Sequence, residues 1–409
     1  MKQFEVPTGY RSRLITAIKQ KRKADDKLKK DFSPTLLDLG TVQFYLARHF
    51  GFCYGVENAI DIAYKTIEEN KGKRIYLLSE MIHNPQVNAD LIQKGVQFLH
   101  DTNGNVIIPL AELTSNDVVM IPAFGTTLEL EKIIQDKGID IQKYNTTCPF
   151  VEKVWNRSDQ IAKKGYAIII HGKPKHEETR ATFSHAAANT PTLIVNDMEE
   201  TKILGDYILG KMSSADFETY FAGRFSNGFD PTKDLEKIGV VNQTTQLATD
   251  TQAISDYLKQ IIIQKYGAEH IEAHFADTRD TLCYATNDNQ SAVIGLLETS
   301  ADLAIVMGGK NSSNSSHLVE LCEQKLPTYF IDDASKIVNE TEIIHTDWKN
   351  KSAHVINGYL PHKAPVKILM TSGASCPDAV VESVIQKITG YFNEEAALEK
   401  LIAQWETAD

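Results

Sequence analysis

Residues 49–60 read HFGFCYGVENAI. A short apolar run, Val42–Leu46, leads into this stretch. Gly51 and Gly55 bracket Cys53, and an amphipathic run, Val56–Ile67, leaves it. That order predicts a strand, a tight glycine-containing turn and a helix. It sets a thiol at a helix start, where free N–H groups and the helix dipole favour the thiolate. A thiolate there serves as a nucleophile or as a metal ligand. One cysteine does not choose between the two, but a repeat of the arrangement would.

The same alternation runs through most of the chain. Strand-like runs fall at Arg74–Leu78, Asp117–Ile121, Tyr166–Ile170, Thr192–Val195, Lys237–Val241, Leu303–Met307, Thr328–Ile331 and Val366–Thr371. Helix-like runs lie between them, at Val87–Lys94, Thr127–Lys137, Val151–Lys164, Ala248–Lys265, Gln290–Glu298, Ser316–Glu323 and Pro377–Thr389. Alternating strand and helix predicts an α/β fold with mostly parallel sheets, whose ligands gather at the turns beyond the carboxyl ends of the strands. Two stretches break the rhythm. Asp197–Pro231, rich in aromatics, Gly and Ser, reads as an insertion within a domain. Asn339–Pro365 reads as irregular, and its His345, His354 and His362 receive no role.

Bulk composition narrows the class. A chain of 409 residues with 42% apolar and 24% charged residues suits a soluble protein of two or three domains. No apolar run is long enough to span a bilayer, and the first residues lack the apolar core of a secretory signal, so a cytoplasmic location is expected. A formal charge of −11 argues against general nucleic-acid binding. Five cysteines are too few, and odd in number, for a disulfide framework. Residues 1–40 form an appendage with a basic run, Lys19–Lys30. It reads as a docking arm for an acidic partner or nucleic acid, or else as a solvated helix or disordered tail.

The arrangement at Cys53 does recur. Cys148, in YNTTCPFVEKV, is followed by Pro149, well suited to a first helical position. Cys283, in DTLCYATNDNQ, also stands ahead of a helical pattern. The three thiols are spaced by about 95 and, with 197–231 set aside, about 100 positions, which suggests three similar α/β units each contributing one. Three separated thiolates would leave one iron of a four-iron cluster without a protein thiolate, an open position of the kind Lewis-acid chemistry requires. Three unrelated buried thiols remain the plain alternative.

Polar motifs occupy equivalent turns. SEMIHNPQV carries His83. HGKPKHEETRAT carries His176, Glu178 and Thr182. NQTTQ carries Thr244 and Thr245. GGKNSSNSSH carries Lys310, Ser312, Ser313 and Asn314, and TSGASCPD carries Ser372 and Ser375. Hydroxyls, amides and free N–H groups in such turns suit a phosphate or diphosphate, though a turn of this kind taken singly is most often a helix cap. Glu178 beside His176 could move protons.

Together these words resemble the 4-hydroxy-3-methylbut-2-enyl diphosphate reductases, the LytB/IspH family. GFCYGVENAI, SEMIHNPQV, TTCPFVEKV, HEETRAT, NQTT, LCYATNDNQ, GGKNSSNSSHL and TSGASCPD occur in family order across Ala47–Ile388. The resemblance implies a trefoil of three α/β domains around a central [4Fe–4S] cluster held by Cys53, Cys148 and Cys283, with one open iron. It implies reductive removal of the substrate hydroxyl to give isopentenyl and dimethylallyl diphosphate, with electrons from a ferredoxin- or flavodoxin-type protein. Glu178 maps onto the proton donor. His83, His176, Thr244, Ser312, Ser313, Asn314 and Ser375 map onto substrate contacts. The domains then run 1–40 (basic extension), 41–148 (its first strand packing with the third domain), 149–280 (with the insertion) and 281–409. This chain departs from the pattern at Phe124, where many members carry a His; Thr126 or Thr127 is the candidate substitute. Cys322 and Cys376 match no family ligand. A quinolinate synthase-like enzyme would share three cysteines but not HEETRAT with KNSSNS, and a non-catalytic redox sensor would need neither Glu178 nor the phosphate-type turns.

Overall fold

The structure, a computed structural model, describes residues 4–28, 30–276, 278 and 281–406. It divides into two compact units: residues 1–61, 82–89 and 284–409, and residues 62–81 and 90–283. No helix among the described residues is long and apolar enough to cross a membrane.

The first unit is built on a five-stranded sheet in the order Thr35–Asp38, Val42–Leu46, Val366–Ser372, Leu303–Met307, Thr328–Ile331. All pairings are parallel except that of the outer strand Thr35–Asp38 with Val42–Leu46. Interior strands such as Leu303–Met307 are buried throughout, as strands covered on both faces must be. A two-stranded antiparallel hairpin, Glu342–Thr346 with Ala353–Asn357, lies in the stretch expected to be irregular. There His345 Nδ1 accepts the amide of Phe330 at 3.0 Å, so this histidine has a structural use.

The arm is not a solvated appendage. Ser12 caps a helix, Arg13–Asp25, by accepting the amide of Ile15 at 2.8 Å. Leu14, Ile15 and Ile18 repeat at helical spacing and are buried in the core of this unit beside Leu37, Phe44 and Val381. Each such side chain is worth roughly 1.5–3 kcal/mol of apolar burial. The opposite face, with Arg13 and Thr16, and the second half of the helix, with Lys21 and Lys23, are exposed.

The second unit holds two parallel sheets. One runs Val96–Phe98, Ile75–Leu77, Val118–Met120, and the other Thr192–Val195, Ala167–His171, Ile238–Asn242, Phe275–Ala276. The supposed insertion builds part of this unit's core. It forms helices Met198–Ile208 and Ser214–Tyr220, and Leu193 bridges to Phe225. Phe217 and Phe221 are fully buried, 4.9 Å apart between ring centres, against Leu193, Ile238 and Leu258. Phe217→Ala is therefore expected to cost about 3–5 kcal/mol. A urea titration followed by circular dichroism measures it, and an unchanged midpoint would show the segment to be ornamental.

Candidate active site

In the first unit three parallel strands end on site residues. The turn after Val42–Leu46 carries Cys53, directly before helix Tyr54–Glu69. The turn after Leu303–Met307 leads to Ser312, which caps helix Ser313–Glu323 by accepting the amide of Ser315 at 3.2 Å. The turn after Val366–Ser372 carries Ser375. Ala374 joins these turns: its carbonyl accepts the Cys53 amide at 3.2 Å, and its own amide donates to Asn314 Oδ1 at 2.9 Å. Ser375 Oγ donates to the carbonyl of His83 at 3.2 Å. Cys53, His83, Asn314 and Ser375 are thus all fastened through one turn. The approach is close enough that a Cβ on Gly308 or Gly373 would run into the hydroxyl of Ser315, so both positions exclude any side chain.

Asn314 is buried, at 3% exposure. Its Oδ1 accepts from Ala374 and also from Asn289 Nδ2 at 3.4 Å. Two donors on one oxygen fix the amide orientation, and Asn314 Nδ2 is left as a buried donor without a protein partner. A group in that state costs free energy unless a ligand accepts from it, which suits a phosphate oxygen. Sequence reasoning missed Asn289. Asn289→Leu is expected to raise KM for substrate by about tenfold through loss of that orientation, with kcat nearly kept. Steady-state kinetics separates the two, and an unchanged KM removes Asn289 from this role.

In the second unit His176 caps helix Glu177–Ala187, its Nδ1 accepting the amide of Glu178 at 3.2 Å. Glu178 is 2% exposed. Its carboxylate accepts the Thr244 amide at 2.5 Å and the Thr244 hydroxyl at 3.0 Å. The Thr244 carbonyl in turn accepts the Cys283 amide at 3.2 Å, so Glu178, Thr244 and Cys283 form one chain of contacts. The neighbouring Gln243 braces this turn, its Oε1 accepting from Lys173, Thr179 and Gln246, while its Nε2 donates to Thr245. Thr245 therefore serves the brace. Cys148 caps helix Pro149–Ala162, and its amide donates to Ala123 at 2.9 Å, next to Phe124. Phe124 stands edge-on to His176, with ring centres 5.8 Å apart. Thr127 caps helix Leu128–Gln135, and Thr182 holds the Trp155 indole at 3.1 Å.

The cysteines fall into two kinds. Cys53, Cys148 and Cys283 are partly exposed thiols, each immediately before or capping a helix. Cys322 and Cys376 are buried, and burial pushes both thiols up to about 12. Burial also pushes the Cys53 thiol up. The amides of Val56 and Gly55 turn toward its sulfur and pull the other way without winning. Burial and the helix start thus pull the Cys53 thiol in opposite directions. The three thiols are divided between the units. Among the described residues no three His, Cys, Asp or Glu side chains stand together as a metal-holding group. The donor set still fits iron–sulfur chemistry: three soft thiols at helix starts, with no paired cysteines of the structural-zinc kind.

An α/β scaffold with helix-start thiols, a buried carboxylate and phosphate-type turns defines a class of iron–sulfur enzyme acting on an anionic substrate. The LytB protein family model matches residues 44–389, and the chain belongs to that family. A relative from a Picosynechococcus strain is 40% identical over 363 residues, covering 88% of each chain. Another, from Prochlorococcus marinus subsp. pastoris, is 38% identical over 382 residues, covering 93% of this chain and 90% of its own. Both are named 4-hydroxy-3-methylbut-2-enyl diphosphate reductase. The second leaves too little of this chain uncovered for residues 1–40 to be wholly private to it. Among solved structures, the Plasmodium falciparum E-1-hydroxy-2-methyl-but-2-enyl-4-diphosphate reductase shares the fold with a TM-score of 0.61 at 24% identity, covering 85% of this chain and 87% of its own. A further structure, described as (E)-4-hydroxy-3-methyl-but-2-enyl diphosphate reductase, the terminal enzyme of the non-mevalonate pathway, gives 0.51 at 24%, covering 84% and 98%.

Proposed function

We propose that the chain is a cytoplasmic reductase of 4-hydroxy-3-methylbut-2-enyl diphosphate, closing the non-mevalonate route to isoprenoids. Two electrons and two protons enter, the allylic C–O bond breaks, water leaves, and isopentenyl or dimethylallyl diphosphate is formed. Cys53 and Cys148, from a domain at 41–148, and Cys283, from a domain at 281–409, would hold a [4Fe–4S] cluster, with a third α/β domain at 149–280 between them in sequence. When bound, the cluster supplies the electrons and, at the iron without a thiolate, Lewis acidity. The electrons reach it from a small carrier of the ferredoxin or flavodoxin type.

The remaining work falls to side chains. Ser312, Ser313, Asn314 and Ser375 hold the diphosphate, helped by the N-terminus of the helix that Ser312 caps. His83 and His176 contact the substrate. Glu178 holds the proton delivered to the departing oxygen, and Thr244, donating through both its amide and its hydroxyl, fixes the carboxyl in place. The observation that carries this reading is the Glu178–Thr244–Cys283 series, in which a buried carboxyl stands two links from a proposed cluster ligand. The test is anaerobic turnover of reconstituted protein with a strong chemical reductant. A chain that holds its cluster yet fails to consume the hydroxylated diphosphate would sink the proposal.

A further inference from the structure

The turn that carries Cys53 leaves the sheet at Leu46 and enters its helix at Tyr54. On one side its backbone is anchored by Ala47 N–H to Met370 and by Cys53 N–H to Ala374. The other side meets the N-terminal arm at three alternate positions. The Lys19 ammonium lies 4.9 Å from the centre of the Phe50 ring. Tyr10 stands edge-on to Phe52 at 5.8 Å, and Phe4 stands edge-on to Tyr54 at 4.9 Å. Phe4 and Tyr10 are buried, at 8% and 3% exposure. Between these contacts Gly51 takes φ +80°, and a Cβ there would strike the Asp378 carboxylate. Lys19 grips that carboxylate at 2.7 and 3.0 Å. Asp378 opens the helix that follows the Ser375–Cys376 turn. Farther along, the amide of Glu5 donates to Asp61 at 3.1 Å, so the arm also holds the helix leaving the turn.

We propose that the arm is a clasp on the Cys53 turn, and that Tyr10 and Lys19 are positioning residues for the Cys53 thiol. The contacts at Phe50, Phe52 and Tyr54 immobilise the residues on both sides of the cysteine, and the Lys19–Asp378 pair ties the same turn to the Ser375 turn. The consequence for the cluster rests on Cys53 being one of its ligands; the clasp itself does not. An edge-on aromatic contact of this kind changes a local opening equilibrium by a factor of roughly two to ten.

The experiment compares thiols within one molecule. Full-length cluster-free Tyr10→Ala and Lys19→Met are alkylated with iodoacetamide under native conditions, and each cysteine-bearing peptide is quantified by mass spectrometry. Cys53 should react about two- to tenfold faster than in the parent, with Cys148 and Cys283 unchanged as internal standards. Tyr10→Phe, which keeps the ring, should restore the parental rate. In cluster-loaded protein, the two variants should lose iron to a chelator faster by a similar factor. A Cys53 rate unchanged in both variants, or an equal rise at all three thiols, overturns the clasp. Selective exposure of Cys53 without faster iron loss keeps the clasp and instead removes Cys53 from the ligand set.

Discussion

Glu178→Gln is expected to lower kcat by about 10²–10⁴-fold, the usual worth of a positioned acid, while the cluster's absorbance and the unfolding midpoint stay close to the parent's. The substitution is nearly isosteric. The amide oxygen of Gln can still accept the Thr244 N–H. The Thr244 hydroxyl, which now donates to the second carboxylate oxygen, can turn round and accept from the new NH₂. Local structure therefore survives and the transferable proton does not. KM should move little, because the diphosphate is held elsewhere. Steady-state kinetics with a chemical reductant checks this, and turnover within a factor of about three of the parent would strip Glu178 of its role.

The second large effect divides the cysteines. Cys53→Ser, Cys148→Ser and Cys283→Ser should each retain iron and sulfide at well below the parent, by more than the roughly 10–100-fold in affinity that changes behind a metal ligand cost. Turnover should vanish with the cluster. Cys322→Ala and Cys376→Ala should keep full iron content. Their sulfurs are wholly buried, their thiols are pushed up to about 12 by that burial, and the Cys376 sulfur lies 3.7 Å from the Pro377 carbonyl. Iron and sulfide analysis of the five variants, with circular dichroism to confirm folding, gives the division directly. A cluster that survives any one of the first three would return that cysteine to the small buried hydrophobes.

The buried apolar strands, at sheet centres and edges alike, were the most legible part of the chain. Val42–Leu46, Thr192–Val195, Leu303–Met307 and Thr328–Ile331 occur where the apolar runs place them. Such strands are covered on both faces, so their pattern needs no tertiary context. The short edge strands Thr35–Asp38 and Val96–Phe98 and the hairpin at 342–357 escaped notice, because neighbours rather than propensity hold them. Helix starts were misplaced where the site begins. Helix Tyr284–Leu296 opens six residues before the expected Gln290, and helix Ser313–Glu323 opens three before Ser316. Their first turns bury Thr286 and Asn289, and Ser313, Asn314 and Ser315, in place of apolar residues. Apolar periodicity fails there because the buried face is polar, and it is polar because it faces the site. The motifs announced Cys53, Glu178 and Asn314 by type. Nothing in the sequence announced Asn289 as the fixer of Asn314, or Phe4, Tyr10 and Lys19 as partners of a turn some forty residues away.

Ala374 carries a consequence of its own. It has no functional side chain, and it already is what a scanning experiment would substitute. Its two backbone groups nevertheless touch Asn314, the proposed anion anchor, and Cys53, a proposed cluster ligand. A scan of the molecule by alanine would therefore pass in silence over the point where both halves of this unit's chemistry are fastened. Only a change to the main chain itself, such as an ester in place of the 373–374 or 374–375 amide or a proline at 374, could make that junction audible.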